Sequence, residues 1–194
     1  EERIDDAVNR ILRMKAEIQD IKRVDVDYQE HEILSQQLTE MSITLVKDKI
    51  GLLPLSDASR IHIVFAGDNR FHESSLLKNY FKNTSVIRET KNMRGDAAVF
   101  AIFTGIATGK GSSGIDEMER YRITELMKKF KNSIVISFGS PYVLRYFMEA
   151  DVLIAAYDAA ETSQEAVLRC LKGEVEAKGH IPVTIGHPSQ GRSL

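Results

Sequence analysis

The stretch that decides the fold of this chain is 134–185, which reads IVISFGSPYVLRYFMEADVLIAAYDAAETSQEAVLRCLKGEVEAKGHIPVTI. Its first apolar, β-branched run ends at Phe138 and is followed by the turn sequence Gly139-Ser140-Pro141-Tyr142, after which a short helix is predicted. A second apolar run, 152–156, is followed by another helical pattern that stops before Gly173. This order of strand, helix, strand and helix is typical of a parallel sheet with helical crossovers.

Upstream of this stretch, other apolar runs are too short for helices and do not alternate with polar residues, which predicts strands buried on both faces. Helical patterns separate most of them, and an amphipathic helix is predicted at the N-terminus from Ile4, Val8, Ile11, Ile18 and Ile21. We therefore predict an α/β fold, with a doubly wound, mostly parallel sheet in a flavodoxin-like three-layer sandwich preceded by an extra N-terminal helix. The predicted strands are 43–46, 61–66, 85–87, 97–103, 134–138, 152–156 and, as a seventh candidate, 183–185, and the predicted helices after the first are 28–41, 71–81, 116–130, 142–148 and 163–171.

Composition excludes several classes of function. The 26 basic and 28 acidic side chains give a net charge of -2 and are interspersed, so no electrostatic footprint for nucleic acid is present. No run approaches the roughly 18 to 20 apolar residues of a membrane span. The single cysteine, Cys170, lies in a helical pattern and is interpreted as a buried structural thiol. The histidines show no helical pairing with acids, so no metal site and no cofactor are predicted, and no compartment is indicated.

The most suggestive loop lies at 104–115, where Gly109, Gly111 and Gly114 fit the G-x-G-x-x-G pattern of dinucleotide-binding proteins. However, five residues separate the preceding strand from the first of these glycines, and no acidic residue closes the next strand. A Walker loop fails as well, because Lys110 is followed by glycine. A flexible or partner-facing loop is therefore favoured, and nucleotide binding stays an alternative.

Three segments carry a resemblance to a known family. The helix IDDAVNRILRMK at 4–15, the segment SITLVK at 42–47 with LLPL at 52–55, and GSPY at 139–142 occur in this order. They resemble motifs of glycoside hydrolase family 3: the last helix of its barrel domain, the entry into its second domain, and its G-N-P-Y turn. Asp48 and Ser140 stand where the family has asparagine. The resemblance covers nearly the whole chain.

The resemblance has a chemical implication, because the family uses an aspartate nucleophile on a barrel domain that nothing in 1–194 matches. In family β-glucosidases the acid/base glutamate comes from the loop after the strand corresponding to 97–103, whereas 104–115 contains no acid here. Asp116 and Glu117 come only where the next helix begins, as the helix dipole favours. The β-N-acetylhexosaminidase branch takes its proton donor from a barrel histidine, so the missing glutamate points to that branch.

The resemblance thus implies the non-catalytic C-terminal domain of a family 3 enzyme that hydrolyses terminal N-acetylglucosamine-type β-glycosides. We expect 1–23 to be the last barrel helix with a linker, 24–186 the α/β domain, and 187–194 a tail. The expected partners are an upstream barrel, carbohydrate in the parent enzyme, and a second copy through the N-terminal helix. The alternatives are a non-catalytic binding or interaction module and a nucleotide-binding flavodoxin-like protein.

No catalytic residue is expected within the chain itself, since the nucleophile belongs to the barrel. In open sheets of this type ligands bind at the carboxyl ends of the strands, so the loops there are expected to shape the sugar cleft. For Asp68 or Asn69 a role as the cap of the next helix is favoured, and Asp158 has the cap of the last helix as an alternative role. The candidate cleft residues are Gly105, Thr108, Lys110, Ser112, Ser140, Tyr142 and Asp158.

Overall fold

The computed structural model of the chain describes residues 2–19, 26–56, 60–79, 84–86, 97–105 and 114–186. Its contacts divide the chain into two units, Glu1–Ile33 and Leu34–Leu194. Within the described residues, no helix has the length and apolar character needed to cross a bilayer. The helical N-terminus and the α/β body can therefore be considered in turn.

The N-terminal unit contains α1 (Glu2–Gln19) and the first turns of α2 (Tyr28–Ser42). The start of α2 is capped by Asp27, whose carboxylate accepts the backbone N–H groups of Gln29 and Glu30 at 2.9 and 3.1 Å. The residues of α1 from 2 to 18 are all exposed, including its apolar stripe. The sequence prediction of an extra N-terminal helix is confirmed.

The second unit is built on a six-stranded sheet of order β1-β6-β5-β4-β2-β3. All neighbouring strands are parallel except β1, which runs antiparallel to β6. The strands are β1 (Thr44–Asp48), β2 (Ile61–Gly67), β3 (Thr84–Val86), β4 (Ala97–Phe103), β5 (Asn132–Phe138) and β6 (Val152–Ala155); the α-helices are α3 (Glu117–Met127) and α4 (Glu161–Leu171), and three 3-10 helices span Asn69–Phe71, Leu76–Asn79 and Pro141–Phe147.

Both faces of the sheet are covered, which makes the predicted three-layer sandwich. On one face, α4 places Val167 and Leu171 against strand residues such as Ile136. On the other face, α3 and the 3-10 helix Pro141–Phe147 pack against Phe100 and its neighbours. Residues of β4 are buried throughout, as their unbroken apolar pattern predicted. The predicted fold class is confirmed.

Two predicted elements were wrong. The helix expected at 71–81 is replaced, within the described residues, by the short 3-10 segments Asn69–Phe71 and Leu76–Asn79. The break at Ser75 has a tertiary cause, because the Ser75 hydroxyl and the Leu76 N–H both donate to the buried Gln164 side chain, at 2.8 and 3.2 Å. The strand expected at 183–185 is irregular, and Pro182 just before it cannot donate to a sheet ladder.

The motif segment at β1 has a structural explanation. The Lys47 ammonium donates to the carbonyl oxygens of Met148 and Ala150 at 2.6 and 2.5 Å, which fixes the chain entering β6. The carboxylate of Asp48 accepts the N–H groups of Leu52 and Leu53 at 2.9 and 3.2 Å. The side-chain oxygen of asparagine could accept in the same place, so the difference from the family pattern at Asp48 preserves the turn.

The carboxyl-terminal half of β2 is contacted by side chains of α3. Within the described residues, β3 pairs with Ile61–Ile63 of β2. Beyond that pairing, Arg122 donates to the Phe65 carbonyl at 3.2 Å and the Glu119 carboxylate accepts the Gly67 N–H at 3.1 Å. These two bonds satisfy backbone groups of β2 and hold the first turns of α3 at the carboxyl edge of the sheet.

Candidate functional site

The candidate site is the carboxyl edge of the sheet, where the parallel strands β2, β4, β5 and β6 all end. The described loops at this edge begin at Asp68, Thr104, Gly139 and Tyr157. Main-chain bonds continue the sheet pairing into these loops: Asp68 donates to Phe103 at 2.8 Å, Thr104 donates to Phe138 at 3.0 Å, and Ala156 donates to Ser137 at 3.0 Å. The starts of the loops are therefore fixed relative to one another.

Thr104 is the centre of this edge, and sequence reasoning did not single it out. It is 5% exposed, and its hydroxyl oxygen accepts the N–H of Ser140 at 3.1 Å. The Ser137 hydroxyl donates to the Ser140 carbonyl at 2.7 Å. The backbone of Ser140 is thus held on both sides, and Pro141 behind it starts the 3-10 helix that carries Tyr142. Tyr142 projects from a fixed turn with its side chain about half exposed.

Two glycines allow the backbone to approach Thr104. Gly139 has a φ of +134°, and a Cβ there would lie 2.1 Å from the Thr104 carbonyl oxygen. Gly114 has a φ of +84°, and a Cβ there would lie 3.0 Å from Thr104 Cβ. Gly114, the last glycine of the G-x-G-x-x-G pattern, therefore has a packing reason to be glycine. The other two glycines of that pattern lie outside the described residues.

Asp68 caps the 3-10 helix Asn69–Phe71, as the sequence predicted, by accepting the N–H of Arg70 at 3.1 Å. The guanidinium of Arg70 also binds both oxygens of the Asp68 carboxylate. These bonds lower the pKa of Asp68 from 3.8 to about 2, with the side-chain hydrogen bond from Arg70 as the largest cause. A general acid needs a pKa near the working pH, so the pairing with Arg70 disfavours that role for Asp68.

The loop after β6 has an unusual backbone at Tyr157, whose φ of +63° is rare for a residue with a side chain. The Tyr157 hydroxyl is 2.9 Å from the Thr44 hydroxyl oxygen at the start of β1, and this contact holds the conformation. Asp158 follows, exposed, with its carboxylate accepting the N–H of Ala160 at 2.8 Å. The N-cap of α4 is Ala160, so the alternative role of Asp158 as the helix cap was wrong.

Of the predicted cleft residues, the structure places Gly105, Ser140, Tyr142 and Asp158 in the loops of one sheet edge. Gly105 follows Thr104 along the chain, and Ser140 is hydrogen-bonded to the Thr104 side chain. Their role in a cleft stays a prediction. Thr108, Lys110 and Ser112 lie outside the described residues. Thr104 and Tyr157 could not be found from the sequence, because their roles depend on contacts with Ser140 and Thr44, which are distant along the chain.

Three other features of the described residues were compared with the carboxyl edge. Within the described part of the chain, no three His, Cys, Asp or Glu side chains come together as a metal site would require. Cys170 is buried, and burial raises the pKa of its thiol, as expected for a structural cysteine. A cavity of about 410 Å³ shares no residue with the carboxyl edge; it is lined by Gln37, Glu40, Met41, Glu174, Val175, Glu176 and Lys178.

The pairing of Asp68 with Arg70 leads to a pH prediction. Because the pKa of Asp68 is lowered in the folded protein, the stability that the pair contributes is complete above about pH 4 and is lost as the pH falls through about 2. We expect the Asp68 carboxyl carbon to titrate near pH 2 in an NMR experiment. Replacing Arg70 by methionine should raise this midpoint towards 4. A midpoint near 4 in the unmodified protein would contradict the geometry of the pair.

Neither a family model nor a curated protein matches the chain, but solved structures do. The β-glucoside phosphorylase BglX superposes with a TM-score of 0.72 at 22% identity, over 96% of this chain and 39% of that protein. A glycoside hydrolase family 3 β-N-acetylglucosaminidase from Paenibacillus sp. str. FPU-7 superposes with a TM-score of 0.68 at 18% identity, and the match covers 96% of this chain and 40% of that protein. A fungal multi-domain family 3 β-N-acetylglucosaminidase, which has a GCN5-related glucosamine N-acetyltransferase region, superposes with a TM-score of 0.66 at 18% identity. This match covers 84% of this chain and 20% of that protein.

At these identities the similarity shows the fold, and it confirms the predicted resemblance at that level. The chain has the fold of one part of the family 3 enzymes that it matches. It spans between 20% and 40% of the lengths of these three proteins. The similarity is therefore to a domain of larger proteins.

Proposed function

We propose that this chain is the non-catalytic C-terminal domain of a family 3 glycoside hydrolase of the β-N-acetylhexosaminidase type. The observation that supports the family is the match of 96% of the chain to parts of larger proteins, among them a family 3 β-N-acetylglucosaminidase. The hexosaminidase type is proposed from the sequence of the loop 104–115, which has no acid where family β-glucosidases carry their acid/base glutamate. The three motif segments support the family independently, because they occur in the family's order. The parent enzyme would hydrolyse terminal N-acetylglucosamine-type β-glycosides, with its nucleophile on an upstream barrel.

The chemistry of the carboxyl edge supports a non-catalytic role. Retaining glycosidases need a nucleophilic carboxylate and a second group that donates a proton. The loop 104–115 carries no acid in its sequence, and Asp68 is held ionised by Arg70. Asp116 accepts the N–H of Glu119 at 2.7 Å as the N-cap of α3, so it serves the helix. These acids therefore have structural roles that do not require substrate.

The loops at this edge are proposed to shape the sugar cleft of the parent enzyme. Tyr142 combines an apolar ring face with a hydroxyl, and the fixed turn at Ser140 presents it with little conformational freedom to lose. Asp158 adds an exposed carboxylate at the end of β6 that can accept hydrogen bonds from sugar hydroxyls. Gly105, Thr108, Lys110 and Ser112 would complete this wall.

The first test is hydrolysis. The purified chain is expected to release no aryl alcohol from an aryl β-N-acetylglucosaminide above the buffer rate, with the Paenibacillus enzyme as the positive control. Turnover that disappears when a residue within the chain is mutated would show that the chain carries its own catalytic groups, and the proposal would fail.

The second test joins this chain to the remaining part of a family 3 enzyme. In a chimera, the chain replaces the matching 40% of the Paenibacillus enzyme. We expect the chimera to be active and expect Y142A and D158A to raise its KM, whereas Y121A, an exposed tyrosine on α3, should leave KM unchanged. A folded but inactive chimera would favour the binding-module alternative. If the chimera is active but Y142A and D158A leave its KM unchanged, the proposed role of these residues in the sugar cleft is wrong.

A further inference from the structure

Two arginines of the α/β unit share one aromatic ring. The guanidinium carbon of Arg120 lies 4.3 Å from the centroid of the Tyr146 ring, and that of Arg145 lies 4.9 Å from it. Arg120 belongs to α3, whereas the other two residues belong to the 3-10 helix Pro141–Phe147. We call these three residues the arginine cluster. The contacts that define it lie inside the unit Leu34–Leu194, so they do not depend on where the N-terminal unit lies.

Neither arginine of the cluster pairs with a carboxylate among the described residues. Arg120 donates from Nε to the Asp116 carbonyl oxygen at 3.2 Å, and Arg145 donates from Nη2 to the Tyr146 hydroxyl at 2.8 Å. A guanidinium has five N–H donors, so most donors of both groups have no acceptor in the described part of the chain. Other arginines of the same unit do form ion pairs with carboxylates: Arg70, Arg122 and Arg169.

The Nε atom of Arg145 is buried and has no hydrogen-bond acceptor. Buried donors are paired in most folded proteins, because an unpaired donor loses its hydration without compensation. The two like charges beside one ring also repel each other. Arg120 and Arg145 are both half-buried, so the cluster stays accessible to a small solute. A bound anion would supply acceptors and would relieve the repulsion.

The carboxylates of the neighbouring segments do not compensate the cluster. The Asp116 carboxylate accepts the N–H of Glu119 at 2.7 Å, and the Glu119 carboxylate accepts a backbone N–H of β2 at 3.1 Å. Glu125 pairs with Lys128. Glu117 is exposed and forms no ion pair with the cluster. The 3-10 helix that carries the cluster has no acidic residue. The cluster therefore carries a net positive charge.

The arginine cluster adjoins the candidate site at the carboxyl edge. Residues three apart in a 3-10 helix lie one above the other, so Arg145 lies one turn from Tyr142 on the same side of that helix. The first turns of α3, which include Arg120, are held at the same edge by Glu119. A solute bound to the cluster would thus lie beside Tyr142.

We propose that Arg120 and Arg145 bind an oxyanion, either a phosphate or a carboxylate group. The N–H groups of a guanidinium form a planar fork that matches two oxygens of such a group. The Tyr146 ring supports both forks through its cation–π contacts. Chloride has a single acceptor atom and cannot engage a fork at two points. The cluster should therefore distinguish oxyanions from chloride, whether or not the parent is a glycosidase.

Titration of the full 194-residue chain with sodium phosphate, and separately with sodium acetate, tests the proposal. Sodium chloride at equal ionic strength controls for screening. We expect the arginine Nε–H resonances of Arg120 and Arg145 to shift to saturation with a Kd of about 1 mM, whereas Arg70, which is occupied by Asp68, should not shift. The oxyanion that binds more tightly identifies the source of the group. A response to both salts that is no greater than the response to chloride would overturn the site.

Substitutions separate the cluster from the general charge of the surface. R120Q and R145Q should each weaken binding about tenfold or more, and R120K and R145K should weaken it too, because lysine keeps the charge and lacks the fork. The matched control K128Q removes the same charge from the end of α3, where Lys128 is already paired with Glu125, and should leave Kd unchanged. Circular dichroism checks that each variant is folded. If K128Q weakened binding as much as R120Q, the anion would respond only to net charge, and the proposed site would be wrong.

Discussion

Replacing Gly139 by alanine is expected to destabilise the α/β unit by about 3 to 5 kcal/mol. The φ of +134° is unfavourable for any side chain, and the new Cβ would lie 2.1 Å from the Thr104 carbonyl oxygen and 2.7 Å from its hydroxyl oxygen. The contact is with backbone, so no flexible side chain can move aside. Relief requires a shift of Thr104, which would break its bonds to Phe138 and Ser140.

The same edge supplies a matched control for Gly139→Ala. Gly105 follows Thr104 directly, and a Cβ there would meet nothing within 4 Å. Gly105→Ala should therefore change the free energy of unfolding by no more than about 0.5 kcal/mol. Urea titration followed by circular dichroism gives both values. Equal transition midpoints for the two variants would mean that the close approach at Thr104 is not required for folding.

The strands were the most predictable part of the fold. The runs in β2, β4, β5 and β6 are apolar without alternation, and a strand covered by helices on both faces needs that composition. The sequence also placed turn residues directly after these runs, as at Gly139, where a helical crossover must begin. Local physics was sufficient here because nearly every residue of these four strands is buried.

The segment 71–81 shows where local reasoning fails. Its composition favours a helix, but the buried amide of Gln164 accepts from Ser75 and Leu76 and stabilises a broken path instead. Gln164 lies on α4, far along the chain, and its position is known only once the sheet has formed. The left-handed backbone of Tyr157 is similar, because it depends on the hydroxyl contact with Thr44 of a distant strand.

The candidate site was predictable in location and less so in detail. The strand ends identified the carboxyl edge, and the preference of aspartate and asparagine for helix starts predicted a cap at Asp68 or Asn69, which the structure places at Asp68. Asp116 was predicted only as part of an acidic first turn, and the structure shows it as the N-cap of α3. The central role of Thr104 was not predictable, because it needs the register that sets Phe103 of β4 beside Phe138 of β5. Roles for Thr108, Lys110 and Ser112 stay predictions.

The register between Phe103 and Phe138 has a second consequence, a stack of aromatic rings beneath the carboxyl edge. The ring of Phe103 stacks on that of Phe138 at 4.8 Å and on that of Phe71 at 5.5 Å, and the ring of Phe65 lies 6.2 Å away. Phe103 is fully buried. Its ring therefore joins β4 and β5 to the first segment after β2, directly beneath the strand ends where the loops of the candidate site begin.

Phe103→Ala is accordingly expected to cost about 3 to 5 kcal/mol, the usual cost of removing a buried phenylalanine, with each lost ring pair contributing about 0.5 to 1.5 kcal/mol within that sum. Phe103→Leu should cost less than Phe103→Ala, because leucine keeps much of the buried volume. It should still cost some stability, because the ring stacking is lost. Tyr121→Ala, at a side chain 68% exposed on α3, serves as the aromatic control and should stay within about 0.5 kcal/mol. The three midpoints from urea unfolding should therefore fall in the order Tyr121→Ala, Phe103→Leu, Phe103→Ala, from most to least stable. If Phe103→Ala unfolded at the same midpoint as Tyr121→Ala, the ring stack would not support the carboxyl edge, and the fixed geometry of its loops would need another cause.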